Sequence, residues 1–349
     1  MNTIDQDTLR NVVQNVIQQL GNPPAAPANA PANSPASNPT GSAAAPSADE
    51  CCKAPGIGGK HGVFAHVCQA SAAAQEAFLK LKELGVEGRK RVIEIVKETC
   101  IANAEPWGKF ELNETKIGRL DHKIEKLQIV GHVPGVEWLA PNAMSGDNGI
   151  TLEEYAPFGV IGAILPVTHS VPTLTGNVIS MVAAGNAIVF NPHPGGAKSA
   201  VMATRAYNQA IERELGIDNL ICTIEEPTIE TFEKICKNEH IALMAITGGP
   251  AVVDAAMKSG KRSVCAGPGN PVVVVDDSAN LDKAAINIIA GAAFDNNLLC
   301  IGEKSVFVVD SVFETFMQAM ERAGATRLDA AQVDKLTTVA FDISTGAGG

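Results

Sequence analysis

The stretch Phe294-Asp295-Asn296-Asn297-Leu298-Leu299-Cys300-Ile301-Gly302-Glu303-Lys304 sets one cysteine in a polar loop. An apolar, helix-like segment (284–293) precedes it and an apolar, strand-like segment (305–309) follows. A cysteine in a loop held by two packed elements can present a thiolate, which is the nucleophilic form. The bland alternative is a buried small hydrophobe, the usual fate of a free cysteine. This stretch alone favours the bland alternative; the rest of the chain reverses the balance.

Other residue types that could do chemistry fall at loops. His169 and His193 both do, although a lone histidine is more often structural than catalytic. No HExxH or HxxxH pattern supports a metal, and none is expected. Thr247-Gly248-Gly249 precedes a helix and could receive a phosphate on the helix N-terminus. A simple strand-to-helix turn reads as well. Ala266-Gly267-Pro268-Gly269-Asn270-Pro271 is a tight loop in which Gly267 and Gly269 predict positive φ or close backbone approach, unless they only serve a turn. No GxGxxG follows a strand and no GxxxxGK[ST] occurs, so these glycines are neither a dinucleotide fingerprint nor a P-loop.

The elements that must position these residues read as an α/β pattern. Helical patterns cover 70–84 and 88–104, with Gly85 as the C-cap of the first. A third, mostly polar helix is predicted over 113–127. An apolar strand at 155–165 leads to a loop at 166–172 and a buried helix at 174–184. A strand at 187–190 leads to a loop at 191–196 and a helix at 198–215. Strands at 220–224, 241–246 and 263–265 alternate with helices at 229–237 and 251–258. A strand at 272–275 and a helix at 281–293 complete the run up to Cys300. Short apolar strands alternating with helices predict a parallel sheet covered on both faces. Ligands of such sheets sit at the carboxyl ends of the strands, where the loops at 166–172, 191–196 and 247–250 fall. Their convergence predicts a small-molecule site.

The chain has 349 residues, enough for about two domains. It is 46% hydrophobic and 19% charged, an ordinary profile that suits α/β layers. A net charge of -11 and the lack of any basic run with interleaved aromatics argue against a nucleic-acid partner. The eight cysteines show neither a disulfide framework nor a CxxC zinc pair. No secretory pattern opens the chain and no apolar run approaches the ~20 residues of a membrane span. A reducing, cytoplasmic compartment is the simplest expectation.

Four segments follow. Residues 1–20 hold a short amphipathic helix, with a Thr3–Gln6 capping box and an apolar stripe from Leu9 to Leu20. Residues 21–55 form a disordered Pro/Ala-rich linker. Residues 56–271 carry N-terminal helices and a parallel-sheet unit, and 272–349 begin a second α/β unit. A tethered amphipathic helix reads as a docking tag, with folding back onto its own domain as the alternative.

Several phrases in order resemble the aldehyde dehydrogenase superfamily over about residues 56–340. They are Asn113-Glu-Thr-Lys-Ile-Gly118, Pro134-Gly-Val-Glu137, Tyr155-Ala-Pro-Phe-Gly-Val-Ile-Gly162, Ala183-Ala-Gly-Asn186, Pro192-His-Pro194, Ala245-Ile-Thr-Gly-Gly-Pro250, Gly267-Pro-Gly-Asn-Pro271 and Asn297-Leu-Leu-Cys300. The likeness is greatest to the CoA-acylating branch, the propionaldehyde and acetaldehyde dehydrogenases of bacterial microcompartments. The N-terminal helix and linker look like an encapsulation peptide.

The resemblance implies an NAD-binding domain plus the beginning of an α/β catalytic domain. It implies that Cys300 attacks a short-chain aldehyde, that NAD takes the hydride, and that coenzyme A takes the acyl group. Asn191 falls where the family usually places a lysine near the adenosine ribose, with Pro192 and His193 beside it. Thr247, Gly248 and Gly249 match the turn beside the pyrophosphate, and Gly267 joins the cofactor-binding set. Hydrolytic members carry a general-base glutamate, and here the aligned position is Cys265, a poor base for water. They also carry an oxyanion-hole asparagine, and here Thr168 followed by His169 occupies that loop. The Cys300 backbone N–H and one of those side chains are the implied oxyanion donors.

The family continues beyond the point where this chain ends. The missing part is expected to supply the rest of the catalytic domain and an oligomerisation strand, giving a homo-oligomer once complete. Residues 344–349 look like a loop at which the chain was cut, or a divergent end. The expectation is therefore a microcompartment-lumen enzyme that binds shell protein through residues 3–20. The alternatives are a hydrolytic aldehyde dehydrogenase and a catalytically incomplete cargo or interaction protein.

Overall fold

A computed structural model of the chain describes residues 59–342 and 347–348. The helix expected at 3–20, the linker at 21–55, Cys51 and Cys52 lie outside the described residues, as does most of the loop at 344–349.

The strands, in chain order, are β1 (Val63–Phe64), β2 (Asn142–Gly146), β3 (Gly149–Glu153), β4 (Val160–Leu165) and β5 (Ala187–Pro192). They continue with β6 (Ile221–Ile224), β7 (Ile241–Thr247), β8 (Ser263–Ala266), β9 (Val272–Val275) and β10 (Ser305–Val308). β4 and β5 are buried at every residue. Such continuous apolar runs belong to strands covered on both faces. Six strands form one sheet in the order β1-β6-β5-β4-β7-β8, and every neighbouring pair is parallel. The expected α/β class with a parallel sheet holds.

The chain runs outward from β4 through β5 to β6, then crosses back to lay β7 on the other side of β4. Strand order therefore reverses between β4 and β7, which opens a crevice beyond their carboxyl ends. The helices Val67–Ala102, Ser170–Ala183 and Ala197–Leu215 pack into one core with the central strands; Leu81, Val96, Leu174, Val178 and Ile211 are fully buried there. Among the described residues no helix is long and apolar enough to cross a membrane.

β9 and β10 form a separate parallel pair, with Ser305 opposite Val272. Helices Leu281–Ala293 and Phe313–Arg322 enclose a small core of Val275, Ala285, Ile288, Phe316 and Ala319. Elsewhere on this pair Val274 and Phe307 are 71% and 63% exposed.

Three local expectations are corrected. The helix predicted over 113–127 is two helices, Ala104–Thr115 and Leu120–Gln128. The break falls at Lys116 and Gly118, which both have positive φ. A β-carbon on Gly118 would stand 2.4 Å from the carboxylate of Asp295, so a long-range contact overrides the helical pattern. The helix predicted at 174–184 begins at Ser170, because Pro172 sits in its first turn, where no N–H is needed. The strand predicted at 155–165 starts only at Val160; Tyr155 and Phe158 are exposed ahead of it. At Gly85 the helical pattern breaks within Val67–Ala102, at φ 64°.

Candidate active site

The crevice at the switch between β4 and β7 is a cavity of about 660 Å³. Its size falls in the ~300–1,000 Å³ range of small-molecule sites. The turn after β4 contributes Thr168 and His169, and the end of β5 contributes Asn191, Pro192 and His193. The turn after β7 adds Thr247, Gly248 and Gly249, and the loop after β8 adds Gly267. Cys300 arrives from the second sheet's side and closes the wall with Leu299 and Ile301. The structure thus brings every candidate site residue to one cavity.

The lining contains no Asp, Glu, Lys or Arg among the described residues. Its polar groups are hydroxyls, an amide, two imidazoles and backbone. Sequence reading missed its apolar floor, where Phe232 and Ile229 of the helix Ile229–Lys237 line the cavity with Thr228. A capping box of Thr228 with Thr231 fixes that helix start, but nothing local in the sequence shows that it faces the site.

Asn191 is 6% exposed, and its Oδ1 accepts a 2.6 Å hydrogen bond from the Thr231 hydroxyl. His193 Nδ1 accepts from the Gly195 N–H at 3.0 Å, leaving Nε2 to carry the proton. The Gly248 N–H donates to the Ala266 carbonyl at 3.1 Å, so that donor is already used. Gly249 caps the helix Pro250–Lys258, whose first residue is a proline. The backbone N–H groups of Gly249 and Ala251 are therefore the ones this helix start can offer an anion.

His169 precedes the helix Ser170–Ala183, and its carbonyl accepts from the Thr173 N–H at 3.1 Å. Burial pushes its imidazole down to about 3, the Lys126 and Lys123 ammonium groups add to the shift, and Asp295 opposes it. His169 is thus neutral near pH 7, a hydrogen-bonding group and not a charged one.

Cys300 is exposed, whereas Cys100, Cys222 and Cys236 are buried. A β-carbon on Gly269 would come within 2.1 Å of the Cys300 carbonyl oxygen. Close backbone approach is thus the reason for glycine at 269. Gly267 shows no such need, since the nearest side-chain atom to an added β-carbon is 3.9 Å away. Cys265 is not part of the cavity wall; it is half-buried on β8 and packs against the core.

Behind the Cys300 loop lies a cluster that sequence reading missed. Lys126 Nζ meets Asp295 Oδ2 at 2.6 Å and Lys123 Nζ meets Glu111 Oε1 at 3.0 Å, all four side chains being buried. Burial raises the Asp295 carboxyl, but the Lys126 and Arg119 hydrogen bonds outweigh it and hold the group below the usual carboxylate range.

The aldehyde dehydrogenase family model matches residues 59–339. The chain is 42% identical over 279 residues to the CoA-propanoylating propanal dehydrogenase of Salmonella typhimurium, and 43% identical over 281 residues to the acetylating acetaldehyde dehydrogenase of the same organism. Each alignment covers 80% of this chain and 60% of the relative. Among solved structures, the propionaldehyde dehydrogenase from the Clostridium phytofermentans fucose utilisation bacterial microcompartment superposes with a TM-score of 0.76 at 40% identity. That match covers 82% of this chain and 66% of the other. The chain therefore spans about 60% of the length of the curated relatives it matches. It belongs to the aldehyde dehydrogenase family.

Proposed function

From family membership and the geometry of the cavity, we propose that this chain carries the nucleophile and cofactor wall of a CoA-acylating, NAD-dependent dehydrogenase for short-chain aldehydes. One observation carries the reading: Cys300 opens onto an uncharged cavity at the carboxyl ends of β4, β5 and β7.

The Cys300 thiolate attacks the aldehyde carbon, a C–S bond forms, and the oxygen becomes an anion. The Cys300 backbone N–H and the Thr168 or His169 side chain stabilise that charge. A neutral His169 can donate one hydrogen bond without acting as an acid at pH 7. Bound NAD would supply the hydride acceptor, leaving an acyl thioester on Sγ. The cavity suits such a dinucleotide, with Gly249 and Ala251 N–H groups for phosphate and Asn191, Thr228 and His193 for the ribose end. Coenzyme A, its thiol proton released to solvent, then attacks the thioester as the thiolate, and Cys300 leaves as the thiolate, restored for the next cycle.

Water is the poorer acceptor here. The carboxylate base of hydrolytic members has no counterpart among the described lining residues. Cys265, aligned with the hydrolytic family's base, packs away from the wall. The names of the relatives point the same way, toward CoA as acyl acceptor and toward microcompartments as the setting. We extend the reading to a microcompartment-lumen location, shell-protein docking through residues 3–20, and a homo-oligomer. Deleting residues 1–20 should abolish co-purification with shells while leaving catalysis intact.

The deciding assay is NADH formation from propionaldehyde, with and without CoA, for the chain and for Cys300→Ala. Turnover that requires CoA and is lost in the variant supports the reading. Turnover without CoA would establish water as acceptor and overturn it.

A further inference from the structure

We infer that the buried Asp295–Lys126 pair is the positioning element of the Cys300 loop, acting through the backbone it holds in a left-handed course. The inference rests on the reading of Cys300 as nucleophile.

The loop begins with three consecutive non-glycine residues at positive φ: Asp295 at 49°, Asn296 at 57° and Asn297 at 59°. Asp and Asn tolerate that region better than other residues, yet three in a row persist only where the surroundings over-determine them. Here the buried contacts gather at Asp295. Asp295 Oδ1 accepts from the Arg119 N–H at 2.7 Å, and Oδ2 accepts from Lys126 Nζ at 2.6 Å. The Asp295 N–H donates to His122 Nδ1 at 2.7 Å. Phe294, just before it, stacks on the His122 ring with centroids 4.2 Å apart and planes 7° apart. All four contacts go to residues 119–126, the start and body of the helix Leu120–Gln128.

Asn297 is fastened separately: its Nδ2 donates to the Ala292 carbonyl at 2.6 Å and, across the turn, to the Glu303 carbonyl at 3.2 Å. Cys300 is thus an exposed residue of a turn fixed at its entry by a buried ion pair and tied across to its exit by Asn297. The entry contact is charge-assisted and shielded from water, so it is the stronger and more directional of the two. The neighbouring pair on the same helix, Lys123 with Glu111, is equally buried, but no hydrogen bond from it reaches the loop. It provides an internal control: the same kind of buried ion pair on the same helix, linked to Asp295 and Lys126 through charge alone and without a hydrogen bond to the loop.

The test compares Asp295→Asn, the double variant Asp295→Asn/Lys126→Met, and Glu111→Gln in the full chain. The double variant leaves no unpaired buried charge, so it folds even where the single one does not. Two readouts are taken: kcat against KM for aldehyde and CoA, and the pH profile of Cys300 alkylation by iodoacetamide, followed on the Cys300 peptide. The expected result is a kcat at least tenfold lower in both Asp295 variants, with each KM within twofold. An alkylation rate changed across the profile should accompany it. Glu111→Gln should lose melting temperature yet keep both readouts within twofold of the parent.

An unchanged kcat and alkylation profile in the Asp295 variants overturns the inference, as does an equal loss in Glu111→Gln. If the parent chain shows no turnover, the functional reading fails on that assay, while the alkylation profiles still decide this one.

Discussion

The carbonyl oxygen of Cys300 packs against Gly269 so closely that a β-carbon at 269 would lie 2.1 Å from it. The Cys300 backbone is thus braced by the loop that follows β8. Backbone cannot yield as a flexible side chain does. Gly269→Ala should therefore push the Cys300 turn out of place, costing ~1–3 kcal/mol of stability through overpacking and lowering kcat at least tenfold. Gly267→Ala meets its first side-chain atom at 3.9 Å and should fold with an unchanged melting temperature. Equal melting temperatures for the two variants would show that the brace is not tight.

Asn191 stands at the end of β5, the position proposed above for the ribose end of the cofactor. An amide there does not repel a 2′-phosphate. Asn191→Asp keeps the acceptor for the Thr231 hydroxyl and adds a negative charge to a wall whose described residues carry none. Its affinity for NADP should fall at least tenfold relative to NAD in equilibrium titrations. Equal weakening of both would place the ribose elsewhere.

The pH dependence of stability has a definite sign. The folded-state value of His169 is about 3, below its ordinary 6.5, so the unfolded chain binds that proton first as pH falls. Its contribution is complete above 6.5 and is lost as pH drops toward 3. Asp295 is also depressed, so its contribution is present above the ordinary carboxylate value and lost at still lower pH. Urea midpoints should be flat above pH 7 and decline from 6.5 downward, at up to about 1.4 kcal/mol per pH unit for one proton. His169→Asn should flatten the part between 6.5 and 5. An unaltered slope in that variant would show that His169 takes up its proton normally.

Lys304 Nζ donates to Asn297 Oδ1 at 2.5 Å, to the Leu299 carbonyl at 3.1 Å and to the Gly302 carbonyl at 3.3 Å. The ammonium thus ties together the residues on either side of Cys300. Because Lys304 is exposed, Lys304→Met should cost under about 1 kcal/mol of global stability. Its effect should be local, with amide hydrogen exchange at residues 298–302 at least fivefold faster and kcat reduced. Unchanged exchange in that window would remove Lys304 from the loop's support.

The pattern of apolar residues along the chain was enough to predict the α/β class and most elements. The helices Ile229–Lys237 and Leu281–Ala293 and the strand Val272–Val275 have the boundaries their periodicity and flanking turns predict. The three loops expected at one end of the sheet do meet, because parallel strands joined by crossover helices put their carboxyl ends on one side. The polar loop around Cys300 by itself favoured a buried cysteine; the rest of the chain and its family resemblance singled the residue out, and it is exposed at the cavity.

What supports Cys300 was not readable. Asp295 and Lys126 are 169 residues apart, and no local periodicity reports a contact across that distance. The same contact broke the helix expected over 113–127, since Gly118 must admit the Asp295 carboxylate. The neutral state of His169 likewise depends on burial beside two lysines from another helix. Periodicity and turn chemistry are properties of neighbouring residues and survive in the sequence; burial, pairing of distant charges and backbone contact exist only once the chain has folded.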